Sequence, residues 1–88
     1  MTGYIKTYLD YFDLKEGDYI PCEACQAPGV DIHHIHGRGE GKDVISNLIC
    51  LCRKCHERAH GSKNYVPKDE FQLIHNYFLQ GTRKQFLK

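Results

Sequence analysis

The stretch that decides the fold runs Cys22-Glu23-Ala24-Cys25, then Asp31-Ile32-His33-His34-Ile35-His36, then Asn47-Leu48-Ile49-Cys50-Leu51-Cys52-Arg53-Lys54-Cys55-His56-Glu57-Arg58-Ala59-His60. All five cysteines and five of the six histidines fall inside it. Cys22 and Cys25 form one C-x-x-C pair and Cys52 and Cys55 a second, with 26 residues between them. Each such turn presents two thiolates to one ion, and two turns complete a tetrahedral zinc shell. The odd cysteine count and the polar N-terminus, with no apolar leader segment, argue against a disulfide framework. Two reduced pairs without metal are the bland alternative, and a redox dithiol lacks the surrounding βαβ pattern it needs. Cys50 either shares a face with Cys52 or rotates away where the strand ends, and reads as a small core residue.

Local signals give the elements between and around the pairs. Val30 to Ile35 alternates and is rich in β-formers, so it reads as a strand. Gly37, Gly39 and Gly41 make a flexible loop. Leu48 to Leu51 reads as a second strand, and Cys52 to His60 as a helix stopped by Gly61. Upstream, Tyr4, Tyr8, Tyr11 and Phe12 have helical spacing over Tyr4 to Leu14. They read as packing residues rather than a base-stacking stripe. Downstream, Pro67 with Asp69 and Glu70 opens a last helix to about Leu79, followed by a basic tail, Gly81 to Lys88, expected to fray.

The 88 residues hold 12 Lys and Arg against 11 Asp and Glu. A chain this short makes one domain with a thin core that needs a staple. No run reaches the length of a membrane span, and near-zero net charge argues against a generic polycation. Charge is nonetheless uneven: −4 over residues 1–37, +3 over 38–63 and +2 over 64–88. The basic excess therefore travels with the Cys/His cluster and the tail. We expect a single domain, 1–88, made of an N-terminal helix (1–17), a zinc knuckle with a two-strand and helix core (18–61), and a C-terminal helix with basic tail (62–88).

The histidines form a second constellation. His33 and His34 point to opposite faces of their strand, and His56 and His60 share one face of their helix. His33, His56 and His60 suit a three-His metal site with open positions. That leaves His34 free as a base, for which an imidazole is well placed near neutral pH.

The order C-x-x-C, His33-His34-Ile35, Asn47-Leu48-Ile49, Leu51-Cys52-x-x-Cys55-His56-x-x-x-His60 resembles the HNH endonucleases from about Pro21 to Gly61. The resemblance implies an α+β fold: the small, treble-clef-like ββα-metal module, zinc-stapled, with flanking N- and C-terminal helices. It implies His34 as the general base, Asn47 holding the loop that orients that base, and His33, His56 and His60 on a catalytic divalent ion. Cys22, Cys25, Cys52 and Cys55 would hold structural zinc. The implied activity is metal-dependent hydrolysis of DNA phosphodiester bonds. His36, Arg38, Arg53 and Lys54 are candidate phosphate-binding or auxiliary groups, with solvated surface charge as the plain alternative. His75 reads as a packing or surface histidine, and Glu57 as a solvated helix residue.

The flanks offer little for reading bases, so we expect contact mainly with the DNA backbone and weak sequence preference. One such site cuts one strand per visit, so nicking is expected, from a monomer or weak dimer. The catalytic ion is left open among Mg, Mn, Ni, Co and Zn. Small relatives of this kind are often phage or mobile-element proteins, which implies a cytoplasmic location, the host's if phage-encoded, and no membrane. The competing class is a non-catalytic zinc knuckle that binds nucleic acid or protein. It predicts one zinc and no cleavage, but gives no reason for the histidines to fall where they do.

Overall fold

The computed structural model describes residues 3–61 and 64–86. Helix α1 spans Gly3–Tyr11, strand β1 Asp31–His34, a 3-10 turn Ile45–Asn47, strand β2 Leu48–Leu51, helix α2 Arg53–Ala59 and helix α3 Lys68–Phe86. This is the expected α+β architecture, with the two-strand antiparallel sheet and α2 at its centre and a helix at each flank.

Helix α1 ends before Leu14 because Asp13 takes a left-handed conformation, φ 56°. Leu14 N then bonds Leu9 O at 2.8 Å and Asp13 N bonds Asp10 O at 3.2 Å. That pair closes the last turn as a Schellman motif and satisfies carbonyls left over by the helix. Leu14 folds back onto the same cluster as Tyr4, Tyr8, Tyr11 and Phe12, so the aromatic stripe is packing.

The first cysteine turn is tied by Cys22 N to Ala27 O at 2.7 Å and Gln26 N to Cys22 O at 2.8 Å. Gly29 is required just after it: a Cβ there would lie 2.3 Å from Cys50 Sγ and 3.0 Å from Ile20 O.

β1 is shorter than the alternation suggested. It pairs Asp31 with Leu51, Ile32 with Cys50, His33 with Ile49 and His34 with Leu48, and ends where the chain turns into the glycine loop. β2 is buried along its whole length and divides the core. Ile49 and Leu51 pack with Cys22, Ile35, Cys55 and Phe71. Leu48 and Cys50 pack with Tyr8 and Phe12. Cys50 has therefore rotated away from Cys52 into the α1 side, as a core residue. Burial, with Glu23 nearby, raises its thiol pKa to about 12.

Cys52 is the N-cap of α2, its Sγ accepting from Cys55 N at 3.5 Å. One turn therefore serves as cysteine knuckle and helix start. Gly61, φ 88°, stops the helix as expected. α3 runs further than expected, through Gly81 to Phe86. A single glycine costs a helix only about 1 kcal/mol, and Arg83, Lys84 and Gln85 are good helix formers. The frayed tail is corrected to helix over 81–86; Leu87 and Lys88 lie outside the described residues.

A buried polar cluster locks these elements together. Glu23 Oε2 accepts from Tyr8 Oη at 2.6 Å and from Cys50 N at 3.2 Å. Glu23 Oε1 lies 2.6 Å from His75 Nδ1, and His75 Nε2 lies 2.6 Å from Ile45 O. His75 is fully buried, so the packing reading holds, but its packing is polar. Glu23 carried no such signal in the sequence.

Candidate functional site

The strand period of two puts Asp31 and His33 on one face of β1 and His34 on the other. On the first face, α2 lies alongside and presents His56 and His60, four residues apart on one side of the helix. The ring centroids of His33 lie 4.9 Å from His56 and 5.3 Å from His60. Nitrogens of the three rings all lie within 4.8 Å of one another, and His56 Nε2 and His60 Nε2 are 3.2 Å apart. Two nitrogens on a tetrahedral ion at 2.0–2.1 Å would be about 3.4 Å apart, close to the His56–His60 spacing, and the three rings together form a candidate metal site. Burial, then the neighbouring His56 and His60, lower the His33 pKa to about 4. Both causes favour the neutral ring that a metal needs.

His56 is held from behind. Its Nδ1 lies 2.9 Å from Asp31 Oδ2, and Arg53 Nε lies 3.3 Å from the same oxygen. A carboxylate on Nδ1 fixes the ring and its tautomer and turns Nε2 toward His33 and His60 as a candidate ligand atom. The sequence reading passed over Asp31, although its position two residues before His33 on a strand was the available signal. Arg53, mostly exposed, lies with His56, Glu57 and His60 on the wall of an open recess of about 420 Å³. Lys54 and Glu57 are exposed on α2.

The cysteines form the other centre. Sγ atoms of Cys22, Cys25, Cys52 and Cys55 all lie within 4.8 Å of one another. Cys25 and Cys52 Sγ are 3.6 Å apart, far beyond a disulfide and close to the roughly 3.8 Å edge of a tetrahedral zinc–thiolate site. The four cysteines suit a structural metal such as zinc. The Cys55 N–H donating to Cys52 Sγ lowers the Cys52 thiol to about 7, whereas burial pushes the Cys55 thiol up.

On the opposite face of β1, His34 is buried. Its Nε2 lies 2.7 Å from Asp43 Oδ1, and the Tyr4 ring sits edge-on with centroids 4.6 Å apart. Arg38 stacks 5.0 Å over that Tyr4 ring, which is where its charge goes. Asp43 was also missed; nothing in a glycine-rich loop marks which acid returns to the strand.

Asn47 is buried at the base of that loop. Its Oδ1 accepts from His36 N at 2.8 Å, and its Nδ2 donates to Gly37 O at 3.2 Å and Lys42 O at 2.9 Å. One side chain thus fastens both arms of the loop that carries Asp43. The His36 ring, just past the end of β1, lies against α3 with its Nε2 2.9 Å from Gln72 Oε1.

No curated protein and no solved structure gives a significant match to the chain. Among the described residues no helix is long and apolar enough to cross a membrane. Residues 22–62 match the family model described as HNH endonuclease. This span begins at the first zinc-type cysteine, contains β1, β2 and α2, and ends just after His60, so the cysteine cluster and the sheet–helix core of this chain are the part that is similar to HNH endonuclease domains.

Proposed function

We propose that the chain is a metal-dependent DNA endonuclease that hydrolyses phosphodiester bonds, with His34 as general base. The observation that carries this reading is the convergence of His33, His56 and His60 nitrogens within 4.8 Å, inside the family-matched span and backed by Asp31. Those three histidines hold the divalent ion, and Cys22, Cys25, Cys52 and Cys55 hold zinc that fixes the fold. When bound, the divalent ion supplies charge stabilisation to the scissile phosphate and the leaving 3′ oxygen.

The chain's own residues supply the rest. The Asp43 carboxylate on one ring nitrogen of His34 orients the imidazole and leaves the other nitrogen basic. That nitrogen takes the proton from the attacking water. Asn47 keeps the loop closed so that Asp43 reaches His34. Arg53, beside the His56–His60 recess, and Lys54 on the same helix bind phosphate oxygens. Arg38 is a further phosphate ligand once DNA draws it from Tyr4. Contacts of this kind position the backbone and read little sequence, so the enzyme nicks with weak preference, as a monomer or weak dimer.

The test is relaxation of supercoiled plasmid by purified protein with Mg, Mn, Ni, Co or Zn added in turn, beside a His34→Ala variant with its Cys-bound zinc intact. Metal-dependent nicking that disappears in the variant is expected. Folded, zinc-loaded protein that cuts with none of these ions would reject the reading in favour of a binding module.

A further inference from the structure

The family-matched span ends at residue 62, yet α3, which lies beyond it, grips the loop of the candidate site. Gln72, half-buried on α3, uses both ends of its amide. Its Nε2 donates to Ser46 O at 2.9 Å, and its Oε1 lies 2.9 Å from His36 Nε2. Because that oxygen only accepts, His36 Nε2 is the donor. A second bond from Gln72 Nε2 to Asn76 Oδ1 at 3.0 Å holds the amide in this orientation.

His36 and Ser46 are the entrance and exit of the loop that carries Arg38 and Asp43. Asn47 fastens the same loop from inside, through His36 N, Gly37 O and Lys42 O. One turn further along α3, His75 Nε2 meets Ile45 O at 2.6 Å. The loop is rich in glycine, and apart from Ile45, which packs on the Tyr8–Leu48 cluster, these polar fastenings are what hold its ends. Asp43 reaches His34 only while the loop is closed.

We propose that Gln72 is a positioning residue: it clamps the two ends of the His36–Ser46 loop and thereby holds Asp43 against His34. Its kinetic consequence rests on the nuclease reading above; its structural consequence does not. Gln72 touches no reacting atom and acts through the loop alone.

The test uses the full-length, zinc-loaded chain and Gln72→Met, which keeps side-chain length and helix propensity but removes both loop bonds. Amide hydrogen exchange is read at His36, Lys42 and Asn47, whose N–H groups are bonded within the loop, and at Cys22 and Gln26 in the zinc knuckle as internal controls. Exchange about tenfold faster at the three loop amides, with the knuckle unchanged, is expected for a local opening. Nicking should show kcat lower by about tenfold at unchanged KM, since misplacement of a catalytic group lowers turnover rather than binding. Gln72→Glu keeps the acceptor for His36 and loses the donor to Ser46 O, so it should fall between wild type and Gln72→Met in both readouts. Leu73→Ala, an exposed neighbour on the same helix, should change neither.

Unchanged loop exchange in Gln72→Met overturns the proposal. Faster exchange with unchanged kcat overturns the positioning role and leaves a purely structural contact. A general rise in exchange that includes the knuckle overturns it as well, because the residue then supports the fold rather than the loop. If the wild type does not nick, the nuclease reading fails by itself, and the exchange measurement alone decides whether Gln72 holds the loop.

Discussion

Removing the Glu23 carboxylate should cost far more than an average substitution, and the structure says how the cost divides. Glu23 accepts from Tyr8 Oη at 2.6 Å, His75 Nδ1 at 2.6 Å and Cys50 N at 3.2 Å, with the carboxylate and the His75 ring fully shielded from solvent. In Glu23→Ala three buried donors lose their acceptor together. Each such orphan costs about 1–3 kcal/mol, and breaking a buried pair from one side costs about 3–5 kcal/mol in all after relaxation. For a chain of this length the whole stability is about 4–13 kcal/mol, so Glu23→Ala should be marginally folded.

Glu23→Gln separates charge from hydrogen bonding. Its amide oxygen can still accept from Tyr8 and Cys50, and its NH2 can donate to His75 Nδ1, while Nε2–H continues to donate to Ile45 O. Every donor keeps a partner, so the cost should fall to about 1–2 kcal/mol. The assay is urea unfolding in zinc-saturated buffer, reading the midpoint at constant m. Equal destabilisation by Ala and Gln, or a loss below about 1 kcal/mol for Ala, would refute the argument that satisfied donors set the cost.

Three further outcomes follow from the geometry. Asp31→Ala releases His56 from its backing carboxylate and should weaken divalent-ion binding at the three-His centre by about 10–100-fold. Titration calorimetry should find zinc in the four-cysteine centre untouched, and equal affinity at the histidine centre would sink the idea. Gly29→Ala forces a Cβ to 2.3 Å from buried Cys50 Sγ and 3.0 Å from Ile20 O. It should cost about 1–3 kcal/mol by overpacking, with partial recovery when Cys50→Ala is added; no recovery in the double variant would mean that the Ile20 carbonyl, not Cys50, sets the clash.

The His33 imidazole, pushed down to about 4 by burial and by His56 and His60, gives a pH signature. Between about 4 and 6.5 the unfolded chain binds more protons than the native metal-free centre, so stability rises with pH across that window and is lost as pH falls through it. Urea midpoints at pH 5 and pH 7, with cysteine zinc retained, should differ less in His33→Ala than in wild type; an unchanged difference would refute the assignment.

By itself the sequence determined what depends on local spacing. The two C-x-x-C pairs, the His33–His34 alternation and the i, i+4 step from His56 to His60 each follow from turn, strand or helix period, and the candidate ligand groups converge as those periods require. Helix and strand identities followed for the same reason, since Leu48–Leu51 and the stop at Gly61 are written in adjacent residues.

Tertiary structure decided what depends on chain reversal. Asp43 lies nine residues after His34, with Gly37, Gly39 and Gly41 in the loop between them. Glu23 and His75 meet across 52 residues. Gln72 finds His36 from a helix whose own pattern says nothing about a loop. Even strand length belonged here: the alternating run continues through Ile35, but β1 ends at His34 because Leu48 is the last partner in β2. Just past that ending, His36 meets Gln72 of α3. A hydrogen bond between distant residues leaves no period in the sequence, because its geometry exists only once the intervening chain has been closed.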